Sequence, residues 1–168
     1  MSAILDYFAA ASDQHAAAAL DNLVDLDPDT IGDMPGLSPD TPARPRIRLA
    51  ASGTPVLQLK GVEPIVALGR LEAALTARPY DEVASGARHG SLVAMSDDGD
   101  SLVLTVTDEL RDALAELDAA AVAAAARVWA IDEEGEPSKE SVPVLSAFVE
   151  LSAGAVNRGE HIYCRVIV

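Results

Sequence analysis

SLVAMSDDGDSLVLTVT, residues 91–107, sets two β-prone runs around an acidic turn, and Asp98-Gly99 at its centre is a strong short-range hairpin signal. A hairpin makes its two runs antiparallel neighbours, which argues against a purely parallel sheet. Directly after it, Thr107 or Asp108 can cap a helix in which Leu110, Ala113, Leu114, Leu117 and Ala121 recur on one stripe. Asp118 offers a second cap inside the same stretch. The run up to Trp129 and Ile131 therefore reads as one long helix or as two meeting near Leu117. A last helix is expected from Ser141, with Pro143 in its first turn and Leu145, Phe148, Leu151 and Ala155 on one face, ending at Asn157 to Gly159. HIYCRVIV, residues 161–168, then reads as a strand.

Upstream of the hairpin, Pro64 opens a helix that carries Ile65, Leu68, Leu71 and Leu75 to about Ala77, where Pro79 stops it, and YDEVASGARHG reads as a loop. RIRLA and VLQLK, flanking ASGTP between Arg46 and Lys60, are expected to pair as another hairpin. From Ala3 to Val24 the spacing of Leu5, Phe8, Ser12, Ala16, Ala19 and Leu23 predicts an amphipathic helix. Between the two lies DLDPDTIGDMPGLSPDTPARP, residues 25–45. Five prolines remove amide donors there and the aspartates compete for the backbone, so this is an arm or a surface strap.

The order α, ββ, α, ββ, α, α, β gives an α+β fold: a mixed or antiparallel sheet of two hairpins plus a C-terminal strand, packed by four or five helices. Residues 1–168 are read as a single domain carrying the arm at 25–45. The 49% apolar content is enough for a core, and with two Phe, one Trp and three Tyr that core must be largely aliphatic.

Charge is the loudest compositional feature. Of the 12 basic residues only Lys60 and Lys139 are lysines, against 27 carboxylates, for a formal net charge of -15. Such a surface repels phosphate backbones and anionic lipid, so neither nucleic acid nor membrane is an expected partner. The charge reads either as a surface for a basic protein or as an adaptation of the whole proteome to salt or base composition. Cys164, the one cysteine, excludes an internal disulfide and fits a reducing compartment. The N-terminal MSAILDYFAAASDQH lacks the basic start and apolar run of a signal peptide, so a cytoplasmic location is expected.

Motifs for chemistry are weak. Asp25, Asp27 and Asp29 have the spacing that opens a calcium loop, but Thr30 and Gly36 stand where the template needs Gly and a bidentate Glu. His15, His89 and His161 form no metal-ligand spacing, and neither a nucleophile elbow nor a phosphate-cradling glycine loop is present. No metal or cofactor is expected. Cys164 and His161, three apart in a strand, point to opposite faces, so the cysteine reads as core. GARHG, residues 86–90, is either a small anion-binding turn or an ordinary loop before a strand. Arg44, Arg46 and Arg48 share a strand face and would pair with the acidic arm.

GVEPIVALGRLEAALTAR, DELRDALAELDAAAVAAAA, the isolated Trp129 and the ending FVELSAGAVNRGEHIYCRVIV together resemble the YfbM-like family of small uncharacterised bacterial proteins. The likeness covers the C-terminal part of the chain and leaves the arm outside. Val, Ser and Ala replace most of the aromatic residues common in that family's last helix. What it implies is a compact cytosolic domain of helices and strands, with no activity or catalytic residue to carry over.

Three functions follow. The first is a non-enzymatic acidic protein-binding or regulatory protein, of which an immunity- or antitoxin-like inhibitor of a basic partner is the sharp form. Its candidate contacts are Asp25, Asp27, Asp29, Asp33 and Asp40 on the arm, with Asp132, Glu133, Glu134 and Glu136 on the later loop. The second is a small enzyme with a pocket built from dispersed residues around Tyr80, Arg88 and His89. The third is a structural homo-oligomer, most simply a homodimer using an exposed Leu5 and Phe8 or the arm.

Overall fold

The computed structural model describes residues 3–20, 56–59, 61–129 and 141–167 in full, together with the backbone of 23–24 and 48–49. The hairpin forms as its sequence requires. Strands β5 (Leu92–Met95) and β6 (Ser101–Thr105) pair antiparallel, and Gly99 takes φ +78° in the turn, a conformation that favours glycine. The Asp98 carboxylate fastens that turn, accepting from the Ser96 hydroxyl at 2.6 Å and the Asp100 amide at 3.0 Å.

The first segment is a strand rather than a helix. β1 (Ile4–Ala10) sends Leu5, Tyr7 and Ala9 into one core and Phe8 into another, so a strand covered on both sides shows an almost unbroken apolar run. That run, followed by an Ala-rich stretch, imitates helical spacing. Only the short helix α1 (Asp13–Ala17) and a 3-10 turn at Ala18–Leu20 follow, with Ser12 as cap accepting the His15 amide at 3.3 Å.

The expected hairpin between RIRLA and VLQLK does not form either. β2 (Leu23–Val24) pairs with β3 (Arg48–Leu49), while β4 (Leu57–Leu59) pairs with β1. Chain on both sides of the Pro-rich arm is thus tied into its own two-stranded ladder, and the arm itself lies outside the described residues. The main sheet is antiparallel with order β4-β1-β7-β6-β5, where β7 is His161–Ile167. Its central register sets Tyr7 opposite Cys164 and Cys164 opposite Leu104.

Five further helices complete the described elements: α2 (Val66–Thr76), α3 (Tyr80–Ala84), α4 (Asp108–Ala115), α5 (Ala119–Trp129) and α6 (Ser141–Arg158). The fold is α+β. α3 was not legible, because five residues are too few for a periodicity. The Glu63 carboxylate holds the start of α2, accepting from the amides of Ile65, at 2.8 Å, and Ala67. At the starts of α4 and α5, Thr107 takes the Leu110 amide at 3.3 Å and Asp118 the Ala121 amide at 2.8 Å, so both caps work and two helices meet near Leu117. Gly159, at φ +65°, ends α6 and lets Glu160 donate back to the Ala155 carbonyl at 2.9 Å.

The two faces of the sheet are covered unequally. On one, Tyr7 meets Phe148 edge to face at 4.8 Å among Leu68, Leu71, Leu110, Leu114, Leu145 and Ile162. On the other, Phe8 stacks on Tyr163 at 5.9 Å and packs with Val103, Ala16 and Ala19. Leu5 and Phe8 are buried, so neither is the exposed dimer contact considered from sequence.

Candidate functional site

One end of the sheet gathers the polar side chains. There β1 leads into α1, β6 leads into α4, β7 begins, and residues 85–91 arrive at β5. Thr105, the last residue of β6, ties this end together, because its hydroxyl donates to the Arg88 carbonyl and accepts the Ser91 amide at 3.0 Å. Sequence neighbours Arg88 and His89 then part company, one to each side of the sheet.

Arg88 turns to the face that holds Tyr163. Its Nη1 lies 3.1 Å from Asp13 Oδ1, and its guanidinium carbon sits 5.6 Å from the Tyr163 ring centroid. The Tyr163 hydroxyl donates to the same Asp13 oxygen at 2.7 Å. Those two donors, the tyrosine first, hold the Asp13 carboxyl below its usual range, while burial and then Asp13 push the Tyr163 phenol up to about 12. Asp108, at the start of α4, carries the rest of this network: 2.7 Å to His161 Nδ1, 3.0 Å to Arg111 and 4.0 Å to Arg88 Nε. Arg111 also donates to the Glu160 carbonyl at 2.8 Å. Every charge in this cluster already faces an opposite one.

His89 turns toward α2 instead. Its ring stands edge-on to Tyr80 with centroids 6.4 Å apart, and its Nε2 is buried without a hydrogen-bond partner. Gly69 makes this approach possible, since a Cβ there would come within 2.6 Å of the His89 ring and 2.9 Å of the Tyr80 ring. Beside it, Glu72 is only 2% exposed. Its carboxylate accepts from the Thr107 hydroxyl and lies 3.8 Å from Arg78, and burial pushes its carboxyl above the ordinary range. Pro64, Leu68, Val106 and Leu110 line a narrow crevice over Glu72, His89 and Thr107.

Of the three side chains considered for a pocket, Tyr80 and His89 lie together and Arg88 does not join them. Asp13, Glu72, Thr107, Asp108, Arg111, His161 and Tyr163 were missed as members of polar clusters. Glu72 alone carried a signal: it stands on the same helical stripe as Leu68 and Leu71, where a carboxylate is out of place. The candidate carboxylates Asp25, Asp27, Asp29, Asp33, Asp40, Asp132, Glu133, Glu134 and Glu136 all lie outside the described residues, as do the side chains of Arg44, Arg46 and Arg48. Among the described residues no three His, Cys, Asp or Glu side chains gather around a metal position, and no helix is long and apolar enough to cross a membrane.

Cys164 is fully buried on the opposite face from His161, and burial pushes its thiol up to about 12. His15 is exposed, 2.8 Å from the Ser12 hydroxyl. Exposed carboxylates among the described residues lie along α4 and the turn after it, at Glu109, Asp112, Glu116 and Asp118, and at the tip of the β5–β6 hairpin. Asp97, Asp98 and Asp100 are exposed there and make no ion pair with any described residue.

Comparison of the chain with protein-family models, with curated proteins and with solved structures finds no match.

Proposed function

We propose that this chain is a non-enzymatic binding protein whose acidic surface takes a basic protein partner, with an immunity- or antitoxin-like inhibitor as the sharpest form. One contrast carries the reading. Arg78, Arg88, Arg111 and Arg158 are spent on internal ion pairs and Arg70 and Arg127 stand exposed on α2 and α5, whereas the carboxylates of the hairpin tip stand in solvent with no described cation beside them. In a chain of net charge -15, such groups attract a basic surface over a Debye length and speed its association. A cytoplasmic setting and a YfbM-like relationship belong to the same proposal, and neither assigns a catalytic residue.

A second reading, a small enzyme at the Glu72 and His89 cleft, is favoured by the unpartnered Nε2 beside a buried carboxyl. Its size weighs against it, because the side chains that line the crevice leave essentially no enclosed space, where ligand sites offer roughly 300–1,000 Å³.

The test is capture from native lysate on the immobilised protein at low and at high salt, with mass spectrometry of the eluates. Release of a basic protein by salt is the expected result. Columns that yield no basic protein at either salt overturn the reading.

A further inference from the structure

The hairpin that carries the acidic tip also forms an unfinished edge of the sheet. Among the described strands β5 is the outermost, with only β6 beside it. Two rows of the sheet run out to it: Tyr7, Cys164, Leu104, Leu92 and, next to that, Leu5, Val166, Leu102, Met95. Each begins in the helix-covered core and ends bare, for Leu92 is 60% and Met95 58% exposed.

A break in register between Leu92 and Ala94 explains how residues three apart share a face. The extra residue sends Val93 and Ala94 together to the opposite face, where they pack beside Val103. The ladder also fixes the backbone. Ser96 donates to the Ser101 carbonyl and Thr105 to the Ser91 carbonyl. By the alternation of an antiparallel pair, the amide and carbonyl groups of Leu92 and Met95 then point off the free edge.

We infer that β5 is a docking edge, on which an extended basic segment of the partner adds as a sixth strand, laying apolar side chains beside Leu92 and Met95 and basic ones against Asp97 and Asp100. The inference rests on the acidic-binding reading above and gives it a location. Outward amides supply register and affinity, the bare rows supply apolar contact, and the aspartates select the sign of the guest. A second copy of this chain would bring another -15 to the edge, so charge favours a basic guest over self-pairing.

A labelled synthetic peptide of alternating Lys and Val is titrated against the full chain, with its Glu and Val counterpart as control. Binding that weakens as salt rises, with slowed hydrogen exchange at the Leu92 and Met95 amides, is expected for the Lys peptide alone. Met95→Pro removes one outward donor without touching the pairing to β6, and weakens binding about tenfold or more. Leu92→Lys, at a solvent-exposed position, does the same by repulsion, and serves should the proline variant not fold. Asp97→Asn with Asp100→Asn flattens the salt dependence.

Undiminished binding in both edge variants overturns the β5 site and leaves the acidic-binding reading standing, since that reading is judged by the lysate capture. Equal binding of both peptides, no binding of the Lys peptide, or a self-association abolished by Met95→Pro each overturns the docking proposal as well.

Discussion

Glu72 shows how one side chain can set the pH response of a fold. Burial raises its folded-state pKa above the ordinary 4.5, so the group takes up a proton more readily in the native state than in the unfolded chain. With the folded value above the unfolded one, stability is highest below 4.5 and declines as pH climbs through the folded pKa. Glu72→Gln removes that decline: urea unfolding finds the variant at least as stable as the parent at pH 7, with the difference shrinking toward pH 4. Asp13 has the opposite sign, its lowered pKa giving stability that is lost as pH falls below 3.8. It is over half exposed, so its share is small. Gly69 is the other decisive residue. Gly69→Ala would gain about 1 kcal/mol of helix propensity, but its methyl meets the His89 and Tyr80 rings, and overpacking of this kind costs about 1–3 kcal/mol. A net loss of about 1 kcal/mol in denaturant unfolding is expected, partly recovered in the double variant with His89→Ala.

Among the elements, those with local punctuation were legible and those defined by distant partners were not. The DDGD turn, the Thr107 and Asp118 caps and Gly159 each act within a few residues, so the β5–β6 hairpin, the end of α6 and β7 could be read directly, and the helical run of α4 and α5 could be read with its division near Leu117 left open. β1 and β4 find partners across the sheet, and nothing in RIRLA or VLQLK says that Arg48–Leu49 pairs with Leu23–Val24 instead. The polar end of the sheet was hidden for the same reason: Asp13 and Tyr163 meet only after β1 and β7 have paired. Thr107 links the two levels, since its hydroxyl caps α4 and donates to Glu72. Thr107→Ala therefore loses a cap and leaves a buried carboxylate short of a donor, a cost of about 1–3 kcal/mol readable in the urea midpoint. Thr107→Ser keeps the oxygen and recovers most of it.

For the whole molecule, the net charge of -15 sets a repulsion that salt relieves. Thermal unfolding at rising sodium chloride is expected to show an increasing Tm, by about 2–4 °C for each ~1 kcal/mol of repulsion screened. A Tm that falls instead would mean that the Arg88, Asp108 and Arg111 network outweighs the general repulsion. The sheet order has a further consequence for how the molecule is made. β7, last of the described elements in the chain, is the strand on which β1 and β6 both close. On a ribosome the nascent chain must carry β1 with one flank bare until β7 emerges from the exit tunnel. Translation and chaperone capture thus compete with collapse, and completion of the sheet has the slow kinetics of high contact order.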